Sequence, residues 1–167
     1  KKSKKLDLML VIMDKGTTST CLVTSSYTEA APIKWLKKIR KYGNARSIIV
    51  NSGNANAYTG RIGYENVKTI AKNISKKISC NINQIYVLST GVIGEQLELE
   101  KILSALPKLI NGCSDNSLNW KYLAQSITTT DTFPKASYIE TSIGGKKVKI
   151  AGIAKGSGMI APNMATM

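Results

Sequence analysis

Short apolar runs of strand length alternate along this chain with longer stretches whose apolar residues recur at helical spacing, and that alternation limits the fold more than any other feature. Residues 6–13 and 20–25 read as strands with turn chemistry at Asp14, Lys15 and Gly16 between them, which predicts a hairpin. Pro32 suits a first helical turn, and Ile33, Leu36 and Ile39 follow on one face of a short helix ending near Gly43. Residues 47–50 predict a buried strand. Val67, Ile70, Ala71, Ile74 and Ile78 form one helical stripe, with Lys68, Lys72, Lys76 and Lys77 mostly on the solvent side. Residues 85–88 predict another strand, followed by a helix through Leu99, Ile102, Leu103 and Leu106. A further helix is expected over 118–127, with Ser117 as its cap and Trp120, Leu123, Ala124 and Ile127 on its inner face. Gly144-Gly145, between strand candidates at 138–143 and 146–150, is a strong hairpin signal. Interleaved strands and helices without a repeat or linker predict an α/β or α+β fold with sheets and helices in layers. The 167 residues fit a single domain, 1–167.

The chain has no histidine, which excludes a Ser-His-Asp or Cys-His triad and most catalytic zinc sites built from its own residues. Cys21, Cys80 and Cys113 are odd in number and widely spaced, with no C-x-x-C pair, so neither a disulfide framework nor a zinc knuckle is expected, and a reducing, cytoplasmic setting fits best. The longest apolar run near the start has six residues, 8–13, far short of the ~20 that span a bilayer, so a soluble chain is expected. Lys1 stands where a natural start would carry Met, which leaves room for a preceding segment.

Lys+Arg number 24 against 10 Asp+Glu, a formal net charge of +14. Such an excess fits a basic nucleic-acid-binding module, with Lys1-Lys2-Ser3-Lys4-Lys5 and Lys37-Lys38-Ile39-Arg40-Lys41 as phosphate contacts. Solvated faces explain the charge better. Lys far outnumbers Arg, aromatics are 6%, and no ribonucleoprotein, GXXG or zinc-finger signature is present to read bases.

Four polar segments could carry chemistry. N-S-G-N-A-N-A-Y-T-G at 51–60 follows a strand but lacks the Gly-Lys-Ser/Thr of a phosphate loop, so a tight structural turn is favoured over a ligand loop. Thr90-Gly91, at a strand-to-helix junction, suits an oxyanion-binding pair or simply a turn that needs glycine. Residues 128–135, T-T-T-D-T-F-P-K, could hydrogen-bond a polar substrate or merely end a helix. Residues 154–167 could be a flexible end, yet Met159, Ile160, Met164 and Met167 make them too apolar for a solvated tail.

These four segments, in this order, resemble the signature segments of the ornithine acetyltransferase family, also called the bifunctional glutamate N-acetyltransferases of arginine biosynthesis. The matching stretches are N-S-G-N-A-N-A-Y-T-G at 51–60, S-T-G-V-I-G at 89–94, T-T-D-T-F-P-K at 129–135 and A-K-G-S-G-M-I-A-P-N-M-A-T-M at 154–167. Tyr58 departs from the pattern, since the family commonly carries Cys there, and a thiol role at that position is in doubt.

The resemblance implies a precursor that cuts itself at the Ala165–Thr166 bond, these residues being its α-chain and a β-chain beginning at Thr166. It implies a sandwich of two β-sheets between helix layers, completed by that β-chain, and an α2β2 assembly. The implied activity is ping-pong transfer of acetyl from N2-acetylornithine to glutamate through acetyl-Thr166, with acetyl-CoA as a conceivable second donor and no cofactor or metal. Thr90 and Gly91 are then the oxyanion hole, and Thr132, Lys155 and Thr166 hold the substrate. For Lys155, the alternative is a plain surface lysine. The chemistry suits a histidine-free chain, because a threonine freed at an N-terminus has an α-amine of pKa near 8 to accept its hydroxyl proton. A self-cleaving aminopeptidase of related fold would use the same device, but the K-G-S-G-M-I-A-P-N-M-A-T-M ending favours the acetyltransferase.

Overall fold

A computed structural model describes residues 6–156 of the protein. Strand β1 (Leu8–Ile12) is followed by helix α1 (Ala31–Ile39), strand β2 (Ser47–Asn54), helix α2 (Gly60–Lys77), strand β3 (Ile85–Val92), helices α3 (Leu99–Asn111) and α4 (Ser117–Ser126), and strands β4 (Lys135–Ile143) and β5 (Lys146–Ala154). The first three strands form one sheet in the order β1-β2-β3, and β4-β5 form a second. The class is mixed α/β, with two sheets and helices.

The expected hairpin between residues 6–13 and 20–25 does not form. A turn is present at Asp14, whose carbonyl accepts from the Thr17 N–H (3.3 Å) and hydroxyl (2.9 Å). Beyond it the chain bonds to the segment before β2, with Ser19 N to Gly43 O at 2.9 Å and Ala45 N to Thr17 O at 3.1 Å. β1 instead lies antiparallel to β2, from Leu8↔Asn51 to Ile12↔Ser47. The longer apolar strand offers β1 a full ladder, whereas residues 20–25 lay only Cys21 and Val23 against the core and leave Leu22 exposed.

Because successive strand residues face opposite ways, the central sheet buries both faces. Leu10, Ile49, Ile85 and Val87 face α1, α2 and α3, joining Trp35, Leu36, Ile39, Val67, Ile70, Ala71, Ile74, Ile102 and Leu106. The Trp35 indole N–H donates to the Ile85 carbonyl at 2.9 Å and ties α1 to the sheet. Met9 and Val50 face the other way, onto Leu123 and Ile127 of the α4 region and Ile153 of β5. Burial of an aliphatic side chain of this size stabilises by roughly 1.5–3 kcal/mol.

Helix ends follow local chemistry. Pro32 sits in the first turn of α1, and after a short 3₁₀ turn the chain reverses at Gly43 with φ +65°. α4 is capped by Asn116, whose side chain accepts from the Leu118 N–H, and not by Ser117, its first helical residue. Trp120 is 41% exposed and not on the inner face, because α4 meets the sheet through Leu123, Ala124 and Ile127. In the β4-β5 hairpin, Gly144 and Gly145 both have positive φ, the geometry of a two-residue turn that matches strand twist. The pairing runs on from Ile143↔Lys146 to Lys135↔Ala154, which lengthens both expected strands.

Candidate active site

β2 and β3 are parallel, so their ends reach the same edge of the sheet. β3 does not stop at Leu88 but continues through Val92, placing Thr90 beside Ser52 and Gly91 beside Gly53 in the ladder. At Gly91 φ is +135°, and a Cβ would lie 2.3 Å from the Gly53 carbonyl carbon and 2.6 Å from Asn54 N. Close approach of two backbones therefore requires glycine there, and it leaves Gly91 exposed beside a half-buried Thr90.

β5 delivers Lys155 to this edge. Its ammonium donates to Thr90 Oγ1 at 2.8 Å and to Thr129 Oγ1 at 3.0 Å, joining three segments remote in sequence. Since Thr90 Oγ1 accepts from the ammonium, its own proton is available to another acceptor. A hydroxyl polarised in this way donates more strongly.

Behind the cluster lies Asp131, whose side chain is inaccessible to solvent. One carboxylate oxygen accepts from Lys135 Nζ and from the Gly156 N–H, each at 2.7 Å, and the other accepts from the Thr129 N–H at 3.2 Å. The Lys135 hydrogen bond first, then the Gly156 N–H, hold the Asp131 carboxyl well below the usual carboxylate range. The Lys135 ammonium also lies 4.8 Å from the centre of the Phe133 ring.

The structure thus brings Thr90, Gly91 and Lys155 to one edge. Thr132 is exposed in the adjoining turn and makes no hydrogen bond to this cluster among the described residues. Ala165 and Thr166 lie outside the described residues. Sequence reasoning gave Thr129 and Asp131 only a share in the 128–135 stretch that could hydrogen-bond a polar substrate, and no role of their own. The available signal was a lone acid in the stretch between Asp115 and Glu140, followed four residues later by Lys135.

The segment at 51–60 behaves as a structural turn. Asn51 Nδ2 donates to Asn54 O at 2.8 Å, Asn54 Nδ2 to Glu95 O at 3.1 Å, Asn56 Nδ2 to Gly63 O at 3.0 Å, and Thr59 Oγ1 to Asn56 Oδ1 at 2.8 Å. Tyr58 is 89% exposed with φ +59°. Among the described residues, no group of three His, Cys, Asp or Glu could hold a metal ion, and no helix is long and apolar enough to cross a membrane.

Comparison with known proteins gives concordant matches. The model of the ArgJ family matches residues 1–167. The arginine biosynthesis bifunctional protein ArgJ of Bradyrhizobium diazoefficiens is 42% identical over 163 residues, covering 98% of this chain and 39% of that protein. Its counterpart from Chlorobaculum tepidum is 44% identical over 163 residues, covering 96% and 40%. The chain therefore spans about two fifths of the length of these relatives. Among solved structures, ArgJ from Bacillus halodurans superposes with a TM-score of 0.85 at 34% identity, covering 98% of this chain and 85% of that one. The ornithine acetyltransferase of Mycobacterium tuberculosis, solved with ornithine, gives 0.87 at 28% identity, covering 98% and 86%.

Proposed function

Because this chain belongs to the ArgJ family, we propose that it is the α-chain part of a self-cleaving enzyme of arginine biosynthesis that moves acetyl from N2-acetylornithine to glutamate. The observation that carries the reading is the Lys155–Thr90 hydrogen bond. It draws the start of the 154–167 segment, which contains Ala165 and Thr166, to the hydroxyl expected to stabilise an oxyanion.

In the precursor, the Thr166 hydroxyl attacks the Ala165 carbonyl. The amide nitrogen leaves with a proton as the Thr166 α-amine, and water hydrolyses the resulting ester to release the Ala165 carboxylate and restore the Thr166 hydroxyl. In turnover the Thr166 oxygen attacks the acetyl carbonyl of N2-acetylornithine while its proton passes to that α-amine, whose pKa near 8 makes it a serviceable base. The tetrahedral oxyanion sits between the Thr90 hydroxyl and the Gly91 N–H. Its collapse expels ornithine, which takes the proton, and leaves acetyl on Thr166. The glutamate amine then attacks that ester, giving N-acetylglutamate and restoring the hydroxyl.

Lys155 supplies the positive charge. It polarises Thr90 and, with Thr132 and Thr166, holds the amino-acid substrate, an α-carboxylate being a natural partner for an ammonium. The chain's +14 charge draws anionic glutamate toward the site, screened beyond ~8 Å at physiological salt.

Within the single domain 1–167, the α-chain ends at Ala165 and pairs with a β-chain beginning at Thr166, in an α2β2 cytoplasmic assembly. The exposed β4-β5 hairpin supports a missing partner. Tyr138, Ile139, Ile143 and Ile150 each expose about half or more of their surface, and a two-stranded ribbon of this kind is marginal alone. The test is Thr166→Ala in the full precursor. One uncut band on a denaturing gel and no acetyl transfer are expected, and a normally cut, active variant would refute the assignment.

A further inference from the structure

We propose that Asp131 is a positioning residue that sets Lys155 against the Thr90 hydroxyl. Its buried carboxylate takes the N–H groups of Thr129 and Gly156, and so fastens together the two segments that carry the Lys155–Thr129–Thr90 cluster. The inference rests on the acetyl-transfer reading only for its kinetic consequence.

The geometry is that of a clamp. Thr129 is one of the two hydroxyls that receive the Lys155 ammonium, and Gly156 is the residue after Lys155. Asp131 therefore grips the backbone beside both the donor and one of its acceptors. It does not reach Lys155 itself, since the ammonium that its carboxylate accepts belongs to Lys135. A long, exposed lysine side chain would otherwise sample many rotamers. Anchoring its backbone at 2.7 Å, with the Thr129 backbone N–H held by the same carboxylate, narrows that range toward the arrangement that polarises Thr90. Two further features argue for a clamp over a surface ion pair. The carboxylate has no accessible surface, and two of its three donors are backbone N–H groups that no side-chain change at Lys135 would remove.

Asp131→Asn keeps the shape but sets an amide against at least one of these N–H donors. A crystal structure of this variant should show Lys155 Nζ withdrawn beyond hydrogen-bonding distance of Thr90 Oγ1, a readout independent of any reaction. A retained bond overturns the inference. In the full, self-cleaved enzyme the same change should lower kcat by about 10- to 100-fold, as misplacement of a transition-state donor does. Combined with Lys155→Ala it should add less than about threefold to the loss from Lys155→Ala alone, because both act through one ammonium. Lys135→Met, which removes the ion pair and leaves both N–H bonds, should lower stability by stripping a buried carboxylate of its cation, while the folded enzyme retains kcat within about threefold. Fully multiplicative losses in the double variant, or a Lys135→Met defect equal to that of Asp131→Asn, would make Asp131 a general structural prop and refute the assignment. Asp131→Ser carries the same predictions should the Asn variant not fold. A wild-type enzyme without acetyl transfer would refute the acetyltransferase reading, while the crystallographic distance would still decide the clamp.

Discussion

Two polar regions meet at the edge formed by the ends of β2 and β3, and they use their side chains differently. In the 51–60 turn, Asn51, Asn54 and Asn56 donate to backbone carbonyls, and Thr59 closes onto Asn56. In the cluster opposite, Lys155, Thr90 and Thr129 bond one another through side chains delivered by three separate segments, over a buried carboxylate. Polar residues that satisfy nearby backbone make scaffold. Polar residues that converge from far apart, with a cation pointed at a hydroxyl, make a place where charge can develop.

The largest expected effect falls on the converging side. Thr90→Ala should reduce acetyl transfer by about 10²–10³ in rate, equivalent to about 3–4 kcal/mol of barrier, with the thermal midpoint nearly unchanged. A loss below tenfold would break the distinction between the two regions.

The scaffold region should respond in the opposite sense. At Gly63 a Cβ would lie 1.9 Å from Thr59 Oγ1 and 2.4 Å from Asn56 Oδ1. Gly63→Ala is therefore expected to lower stability by about 1–3 kcal/mol in a urea titration, while the folded fraction keeps its specific activity.

Next comes pH. Asp131 has a folded-state pKa below its unfolded value near 3.9, so its contribution is complete above that value and is lost as pH falls toward the folded one. The stability difference between wild type and Asp131→Asn should be constant above about pH 5 and shrink below about pH 4. A difference that grows on acidification would contradict the hydrogen bonding described.

The smallest effects belong to exposed pairs outside both regions. Lys68→Ala and Lys101→Ala, which remove the pairs with Glu65 and Glu98, should change stability by no more than about 0.5 kcal/mol.

The same contrast explains what could be read from the residues alone. The α2 stripe, the Gly144-Gly145 turn and the Gly43 helix end are local, with periods and turn chemistry lying within a few residues, and each stands as expected. The partner of β1 is non-local, and nothing in residues 6–25 says that strand 47–54 is a better neighbour than strand 20–25. Thr90, Gly91 and Lys155 came from matched segments, but the bonds joining Lys155 to Thr90 and Thr129 span 65 and 26 residues and have no local signature. Asp131 was read only as one of several polar groups in the 128–135 stretch, for a related reason. Its role lies in which N–H groups it accepts from, and one of them is 25 residues away. The glycine at 91 had two readings, and the Gly53–Asn54 backbone pressed against it gives the structural one a concrete cause.

Mass spectrometry of the β-chain's first peptide, taken after the full self-cleaved protein is mixed with N2-acetylornithine and before glutamate is added, reaches the central claim most directly. The account predicts a peptide that begins at Thr166 and carries one acetyl group, which disappears once glutamate is supplied. A peptide with a different first residue, or an unmodified Thr166 peptide in a preparation that transfers acetyl, would contradict it.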